Sequence, residues 1–485
     1  MNWCWTALLF LSCLPARAAT RGYPLILVQE AVPGAGSRIV RLNADGTLQV
    51  LTTDFAEAAD PCVSFEGTHL LFAGRKSVSD SWEIWEMQAD GSGKRPLTAG
   101  LGDCREPIYL AKAAVDAPAF EQKVRWFCFT STAPGVLDEE GRGPLRSLYA
   151  QNLEPVPGRG IVTWRTTYNL GGDGAPTVLA DGRVLFSSWQ REGLALMTIS
   201  WAGEDLNAFY GTHDGALSQS APCELPDRSV VFVEHQGSDP HQGGQLARVE
   251  LRRPLYTHQI LSREGEEYRT PHPAPDGGLL VARRRPGGTW GIYRFDPIKG
   301  RPGPEVLDDP AWDELDAQVL APRPEPVGRI PMVEFASVLD VGELKGLGQL
   351  QCLNVYDSDR PDQARPGQVK QVRLVEGVPL LPGEAPARPP GGWPPAHVRT
   401  RILGEAPVEP DGSFYVNVAG DLPFYIEALD AEGRVVQTMR AWTWVRAGDQ
   451  RGCIGCHENK ELAPENRATQ ALIRAQPVTL KGEGR

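Results

Sequence analysis

Near its C-terminus the sequence reads Cys453-Ile454-Gly455-Cys456-His457. The residue types in this C-x-x-C-H arrangement suit one chemistry. Two thiols within a single turn of chain can each add across a vinyl group of a haem, leaving two thioether bonds. The adjacent imidazole is then delivered to the iron as an axial ligand. The spacing therefore predicts one covalent haem c, attached through Cys453 and Cys456 with His457 on the iron. The competing readings are a chance match, a redox dithiol and half of a zinc site. No second C-x-x-C exists in the sequence to complete a zinc site.

Haem c is attached outside the cytoplasm, and the N-terminus offers a route there. Trp3 to Leu14 is mostly apolar and too short to span a bilayer. It leads into Pro15-Ala16-Arg17-Ala18-Ala19, where Ala16-x-Ala18 is a small-residue cleavage pattern. Residues 1–18 thus read as a secretory signal peptide cleaved after Ala18, and the mature chain is expected in the periplasm. No Lys or Arg precedes the apolar run. A lipoprotein reading would acylate Cys13, but Phe10 stands where Leu is usual. No later stretch is long and apolar enough for a transmembrane helix.

Composition narrows the partners. The net charge is −12, and no run of Lys or Arg breaks the acidic balance. That argues against nucleic acid and against an anionic membrane surface. The 52 glycines and 42 prolines are spread along the 485 residues, which favours many short strands joined by turns over long helices.

The elements that must carry the motif are legible as repeats. Pro61-Cys62-Val63-Ser64-Phe65-Glu66-Gly67 precedes the apolar His69-Leu70-Leu71-Phe72. Segments starting at Pro176, Pro222 and Pro271 keep the same distance from proline to turn, and Pro107 starts a weaker copy. Each copy reads as a short strand, a tight turn and a strongly apolar second strand. An alternating stretch such as Trp82 to Met87 follows, then a further turn and a fourth strand. Four strands at a period of roughly 40–50 residues is the arithmetic of a β-propeller blade. Tyr23 to Thr53 reads as an incomplete first copy, so about six blades are expected, closing near residue 310. A seven-bladed ring and a β-sandwich are the alternatives. The Pro-x-x-x-x-Asp-Gly units resemble those of TolB-type propellers.

The expected division is a signal peptide (1–18), a propeller (19–315), a proline-rich linker (316–331) around Ala321-Pro322-Arg323-Pro324-Glu325-Pro326, a β-rich middle domain (332–450) and a haem segment with its tail (451–485). The fold class is all-β. In the middle domain, strands are expected at Val369 to Val375, near Val408, and at Ser413 to Val418, Phe424 to Leu429 and Val435 to Met439. Together they read as a small antiparallel sandwich. Trp442 and Trp444 read equally as haem-packing and as core residues. The 28 residues after His457 are too few for a helical cytochrome c fold. The haem is therefore expected to be covered by the β-domain, the propeller or another subunit.

Four stretches resemble the α subunit of hydrazine synthase and its relatives. They are Pro240 to Leu246, Gly291-Ile292-Tyr293, Gly404 to Phe414, and Trp442 through His457-Glu458. The resemblance spans most of residues 60–460. It implies a propeller followed by a mostly β middle domain with one c-type haem, within a multi-subunit complex that joins reduced nitrogen species into hydrazine. Two departures stand out. The synthase has a further domain with a second haem, which has no counterpart in these 485 residues. Its middle haem is ligated by a Tyr four residues after the motif's His, a position held here by Glu461. His457 is therefore expected to take the usual axial role.

Candidates for the other face of the iron are His235, His241, His272, His397 and Met439, with His241 favoured because its Gly-rich stretch matches the family. After export and haem attachment, Cys62, Cys104, Cys128, Cys223 and Cys352 remain, an odd number that leaves at least one thiol outside any internal disulfide. Cys62, Cys223 and His272 each follow a repeat proline. They are read either as an auxiliary soft-ligand site, zinc for instance, or as buried packing residues. Cys128 reads as a core strand residue. The Asp308 to Glu314 run reads as a solvated loop. Gly-x-Ser-x-Gly, His-Glu-x-x-His and Walker motifs are absent from the sequence.

Three functions follow as expectations. The first is an exported haem c redox protein whose propeller docks a partner such as another cytochrome, within a hetero-oligomer. The second is a haem enzyme acting on small nitrogen species. The third is an interaction scaffold with a structural haem.

Overall fold

The computed structural model describes residues 22–34, 36–113, 123–156, 158–190, 193–211, 217–329, 346–360, 363–456, 462–474 and 476–480. The expected signal peptide lies outside them. The described residues are strands and turns, with two short helical turns, Pro254–Tyr256 and Gln470–Ile473. None of their helices is long and apolar enough to cross a membrane.

From Leu25 to Val319 the described strands form six four-stranded antiparallel sheets. Their first strands are Glu57–Val63, Cys104–Ala113, Asp173–Val178, Ser218–Glu224, Glu267–Pro273 and Trp312–Val319. Each touches the next, and the last returns to the first, so the six line a central axis as in a β-propeller. The ring is clasped by strands from both ends of this region. Trp312–Val319 pairs with Leu25–Ala31, through Val28 with Leu315 and Gln29 with Glu314. The boundary expected at residue 315 therefore falls inside the closing strand. The acidic run expected as a solvated loop is one only in its first half: residues 308–311 form a turn, whereas Trp312 to Glu314 enter the closing strand, and Glu314 is fully buried and accepts a hydrogen bond from Gln29 Nε2.

The repeat proline has a backbone reason. Just before it stand Asp60, Glu106, Ala175, Ala221 and Thr270, and Asp316 holds the same place in the closing strand. All six are non-glycine residues with φ between 44° and 54°. At each, the pairing slips by a bulge, as between Ala59 and Cys62 or between Gly174 and Thr177. A left-handed residue inside a strand bends it. A proline directly after it costs nothing in the ladder, because neither residue of the bulge is paired. Side chains at these positions stitch neighbouring blades. Asp60 Oδ2 accepts the Glu106 N–H at 2.9 Å, Glu106 Oε2 accepts the Ala175 N–H at 3.1 Å, and Thr270 Oγ1 accepts the Asp316 N–H at 3.1 Å.

The proline-rich linker is laid along the propeller. The Arg323 N–H donates to Phe65 O and the Val327 N–H to Ala180 O. Gly182, with φ of +85°, makes room for it: a Cβ there would lie 2.1 Å from the Val327 carbonyl oxygen.

Beyond the linker, two four-stranded sheets face each other across one core. One orders Val398–Pro407, Gln371–Pro379, Phe424–Leu429 and Val435–Thr438. The other orders Gln450–Cys453, Leu347–Cys352, Phe414–Ala419 and Val478–Thr479. Leu350, Val372, Leu374, Val416 and Phe424 fill the space between them, almost fully buried. The second sheet is not wholly antiparallel as expected, because both of its outer strands pair in parallel.

The sandwich and propeller share buried contacts. Trp442 donates its indole N–H to Glu139 and packs with Trp393 and Tyr425. Trp444, 3% exposed, joins the propeller cluster containing Trp126 and Trp201. Arg446 Nη1 donates to Arg165 O and Ala202 O, both at 2.8 Å, while its Nε pairs with Asp421. Both tryptophans of the motif's approach are thus committed to the domain boundary.

Candidate haem-attachment site

Strand Gln450–Cys453 exists because it borrows a neighbour a hundred residues back. It runs parallel to Leu347–Cys352, with Cys352 directly opposite Cys453. Past the strand, the motif stays tied to the same neighbour. The Leu353 N–H donates to Cys453 O at 2.9 Å and the Asn354 N–H to Ile454 O at 3.0 Å. Gly455 then presses on Asp357, where a Cβ would sit 2.2 Å from the carbonyl oxygen. No side chain fits at position 455, so glycine is required there by close approach. Cys453 and Cys456 are half-buried and pack against the sandwich core. His457 and Glu461 lie outside the described residues.

A cleft of about 310 Å³ borders this turn. Asn354, Tyr356, Asp357 and Ile454 line one side, and Arg467 and Thr469 from the tail line the other. The tail is held by the turn at Asp411. Arg467 Nη2 donates to Asp411 O, the Gln470 N–H to Asp411 Oδ2, and the Ala471 N–H to Ser413 Oγ. Thr469 Oγ1 is buried without a hydrogen-bond partner. Arg451 sits behind the motif and donates to Trp444 O at 3.3 Å. Burial lowers its pKa, and the neighbouring Cys453 thiol and Asp449 oppose that.

A family model described as the hydrazine synthase alpha subunit middle domain matches residues 367–458, which takes in most of the sandwich and the whole motif. Hydrazine synthase subunit alpha of Kuenenia stuttgartiensis is 28% identical over 513 aligned positions, covering 87% of this chain and 62% of that protein. The solved structure of Kuenenia stuttgartiensis hydrazine synthase superposes on 94% of this chain and 72% of that one, with a TM-score of 0.83 and 26% identity. The chain belongs to the hydrazine synthase alpha subunit-like family. It spans about three fifths of the length of that curated relative. TolB from Acinetobacter baumannii aligns with 61% of the chain and 66% of its own, at 13% identity and a TM-score of 0.43, too weak a likeness to build on.

In this family member, the side chains expected on the far side of the iron are spread across the molecule. His235 is buried in the sheet that starts with Ser218–Glu224, where its Nε2 lacks a partner and burial lowers its pKa. His241 is exposed on the following loop, its N–H bound to Asp239. Burial tends to raise the Asp60 carboxyl, but Arg105 outweighs it and His241 adds to the lowering. His397 lies against Gly141 at the domain boundary, and Met439 packs there too. None of these lines the cleft.

Among the described residues no three His, Cys, Asp or Glu side chains are arranged to hold a metal ion. Cys62, Cys223 and His272 occupy matching places in three blades, and Cys62 and His272 share Arg323 as a charged neighbour. Cys62 packs with Phe65 and Leu71, and Cys223 with Leu225 and Val231. Burial raises the Cys223 thiol to about 12. The His272 ring contacts Pro273 O through Nδ1, and its pKa is pushed down to about 3 by burial, with Arg323 adding to the effect. Cys128 is fully buried in its strand, as expected.

Two residues matter here that the sequence reading left unassigned: Cys352, beside the motif, and Glu139, beneath Trp442. Neither has a local signal, since both are defined by partners more than a hundred residues away. The described donor set fits a covalent haem. It has two half-buried thiols on one turn, a glycine packed closely on Asp357, and beside Ile454 a cleft with an unsatisfied hydroxyl, Thr469 Oγ1, in its wall.

Proposed function

We propose that this chain is an exported c-type haem redox protein of the hydrazine synthase alpha subunit-like family, with the propeller as a docking scaffold for a redox partner. The observation that carries the reading is the placement of the Cys453–Cys456 turn. It is pinned to a sandwich strand, half-buried, and bordered at Ile454 by a cleft. Cys453 and Cys456 would hold the porphyrin through thioether bonds, and His457 would reach the iron. A bound haem would supply a one-electron couple. The sheet fixes the attachment point, and Gly455 keeps the two thiols on one short, unobstructed turn. Export rests on the pattern of residues 1–18, and a hetero-oligomer on the complex to which the named relative belongs.

The test is maturation. Co-expressed with a c-type cytochrome maturation system, the full chain should carry haem that survives denaturation. Cys453→Ala and Cys456→Ala should each lose one thioether, and the double variant should be colourless. A wild-type chain that stays colourless would refute the reading.

A second reading, a haem enzyme acting on small nitrogen species, is favoured by one observation. None of His235, His241, His272, His397 or Met439 lines the cleft, so the iron need not take a second protein ligand from among them. A high-spin ferric spectrum that shifts on adding nitric oxide would support this reading. A low-spin spectrum insensitive to it would support electron transfer.

A further inference from the structure

Cys352 is not a haem cysteine by motif, yet it is the residue directly opposite Cys453 in a parallel pair of strands. Directly opposed residues on adjacent strands point to the same face of a sheet, about 4.8 Å apart along the hydrogen-bonding direction. That lies within the Cα separation of roughly 4.4–6.8 Å that a disulfide spans. Both side chains turn towards the sandwich core, and Cys456 packs on the same cluster. The Cys352 thiol already leans to the motif, with Sγ 3.9 Å from Ile454 O. Burial differs across the pair: Cys352 is 3% exposed, whereas Cys453 is only partly buried.

We propose that Cys352 and Cys453 form a cross-strand disulfide in the chain before haem attachment, which withholds the first haem thiol until it is reduced. The oxidant is a disulfide of the glutathione type. The Cys453 thiolate attacks one of its sulfurs, and one glutathione thiolate leaves. The Cys352 thiolate then attacks the Cys453 sulfur of the mixed disulfide and expels the second glutathione. Two protons and two electrons pass from the protein thiols, and the glutathione disulfide ends as two thiols. A sulfur in this bond cannot add to a vinyl group, so attachment through Cys453 requires prior reduction. The disulfide stands on strand register alone; only its consequence for haem rests on the attachment reading.

The experiment uses the full chain made without haem maturation, incubated with glutathione disulfide, alkylated, digested and mapped by mass spectrometry. The expected product is a Cys352–Cys453 cross-linked peptide with Cys456 alkylated. A Cys453–Cys456 disulfide, or alkylation of all three, overturns the proposal. In the second arm, wild-type and Cys352→Ala chains are matured with and without the oxidant. Wild type should lose most of its covalent haem when oxidised and regain it with a thiol reductant, while Cys352→Ala keeps its haem in both conditions. Equal oxidant sensitivity of the two chains also overturns it. If neither chain takes up haem even when reduced, the attachment reading fails, and the mapped disulfide still decides this proposal.

Discussion

Gly455 and Glu139 show how single residues set the terms for the site. A Cβ at position 455 would collide with the carbonyl of Asp357, which is backbone held in its own turn by a hydrogen bond to Asn354. Gly455→Ala should therefore cost about 1–3 kcal/mol, from overpacking against a fixed group. It should also reduce covalent haem yield more than Ile454→Ala does, read from denaturation curves and haem-stained gels. Glu139 is 1% exposed beneath Trp442. Burial raises its carboxyl from 4.5 to about 7, with the Trp442 hydrogen bond pulling the other way. A raised carboxyl pKa means that the folded state holds the proton more tightly. The stabilisation is full below about pH 4.5 and is lost as pH climbs through about 7, on the order of 3 kcal/mol. Glu139→Gln keeps an acceptor for the indole and cannot titrate. Its loss of stability between about pH 5 and about pH 8 in urea unfolding should be smaller than wild type's. A residual slope should remain, because burial also raises Asp173, Glu314 and Asp316.

Among the elements, the innermost strand of each blade carries the most information. Its left-handed residue and bulge recur six times, and three of the six side chains hold the next blade's N–H. Glu106→Ala would leave the Ala175 N–H without its acceptor, at a cost of about 1–3 kcal/mol, whereas Glu106→Gln should recover most of that. Chemical denaturation of the two variants distinguishes the effect from a change of charge. This element was partly legible. The prolines at 61, 176, 222 and 271 marked the register because proline tolerates the unpaired position that a bulge creates. The closing strand was not legible, because Ala317 stands where the proline would be and the acidic residues before it mimic a loop. Strand Leu347–Cys352 and strand Gln450–Cys453 were missed for a related reason. They pair in parallel across a hundred residues, and nothing in short-range alternation announces such a partner. Phe424–Leu429, by contrast, lies where expected, because a short run rich in apolar residues sits between two Gly-containing turns.

At the scale of the whole molecule, the haem motif is the end of a mechanical chain. Trp442, Trp444 and Arg446 anchor the sandwich to the propeller within a dozen residues of Cys453. Sequence alone left the two tryptophans undecided between haem and core. The structure assigns them to the joint between domains, where each meets a partner from the propeller. Arg446→Ala would strip the acceptor carbonyls of Arg165 and Ala202 of their donor and leave Asp421 without its ion pair, at a cost of roughly 3–5 kcal/mol. Because these contacts bridge two domains, a calorimetric trace that is one transition in wild type should split into two. The central claim is that this all-β scaffold presents Cys453 and Cys456 to a porphyrin, and the intact mass of the mature chain under denaturing conditions tests it most directly. The account predicts the exported polypeptide plus one haem, lost in the double Cys453→Ala, Cys456→Ala variant. A mature chain of bare polypeptide mass, made where a control cytochrome c acquires its haem, would contradict it.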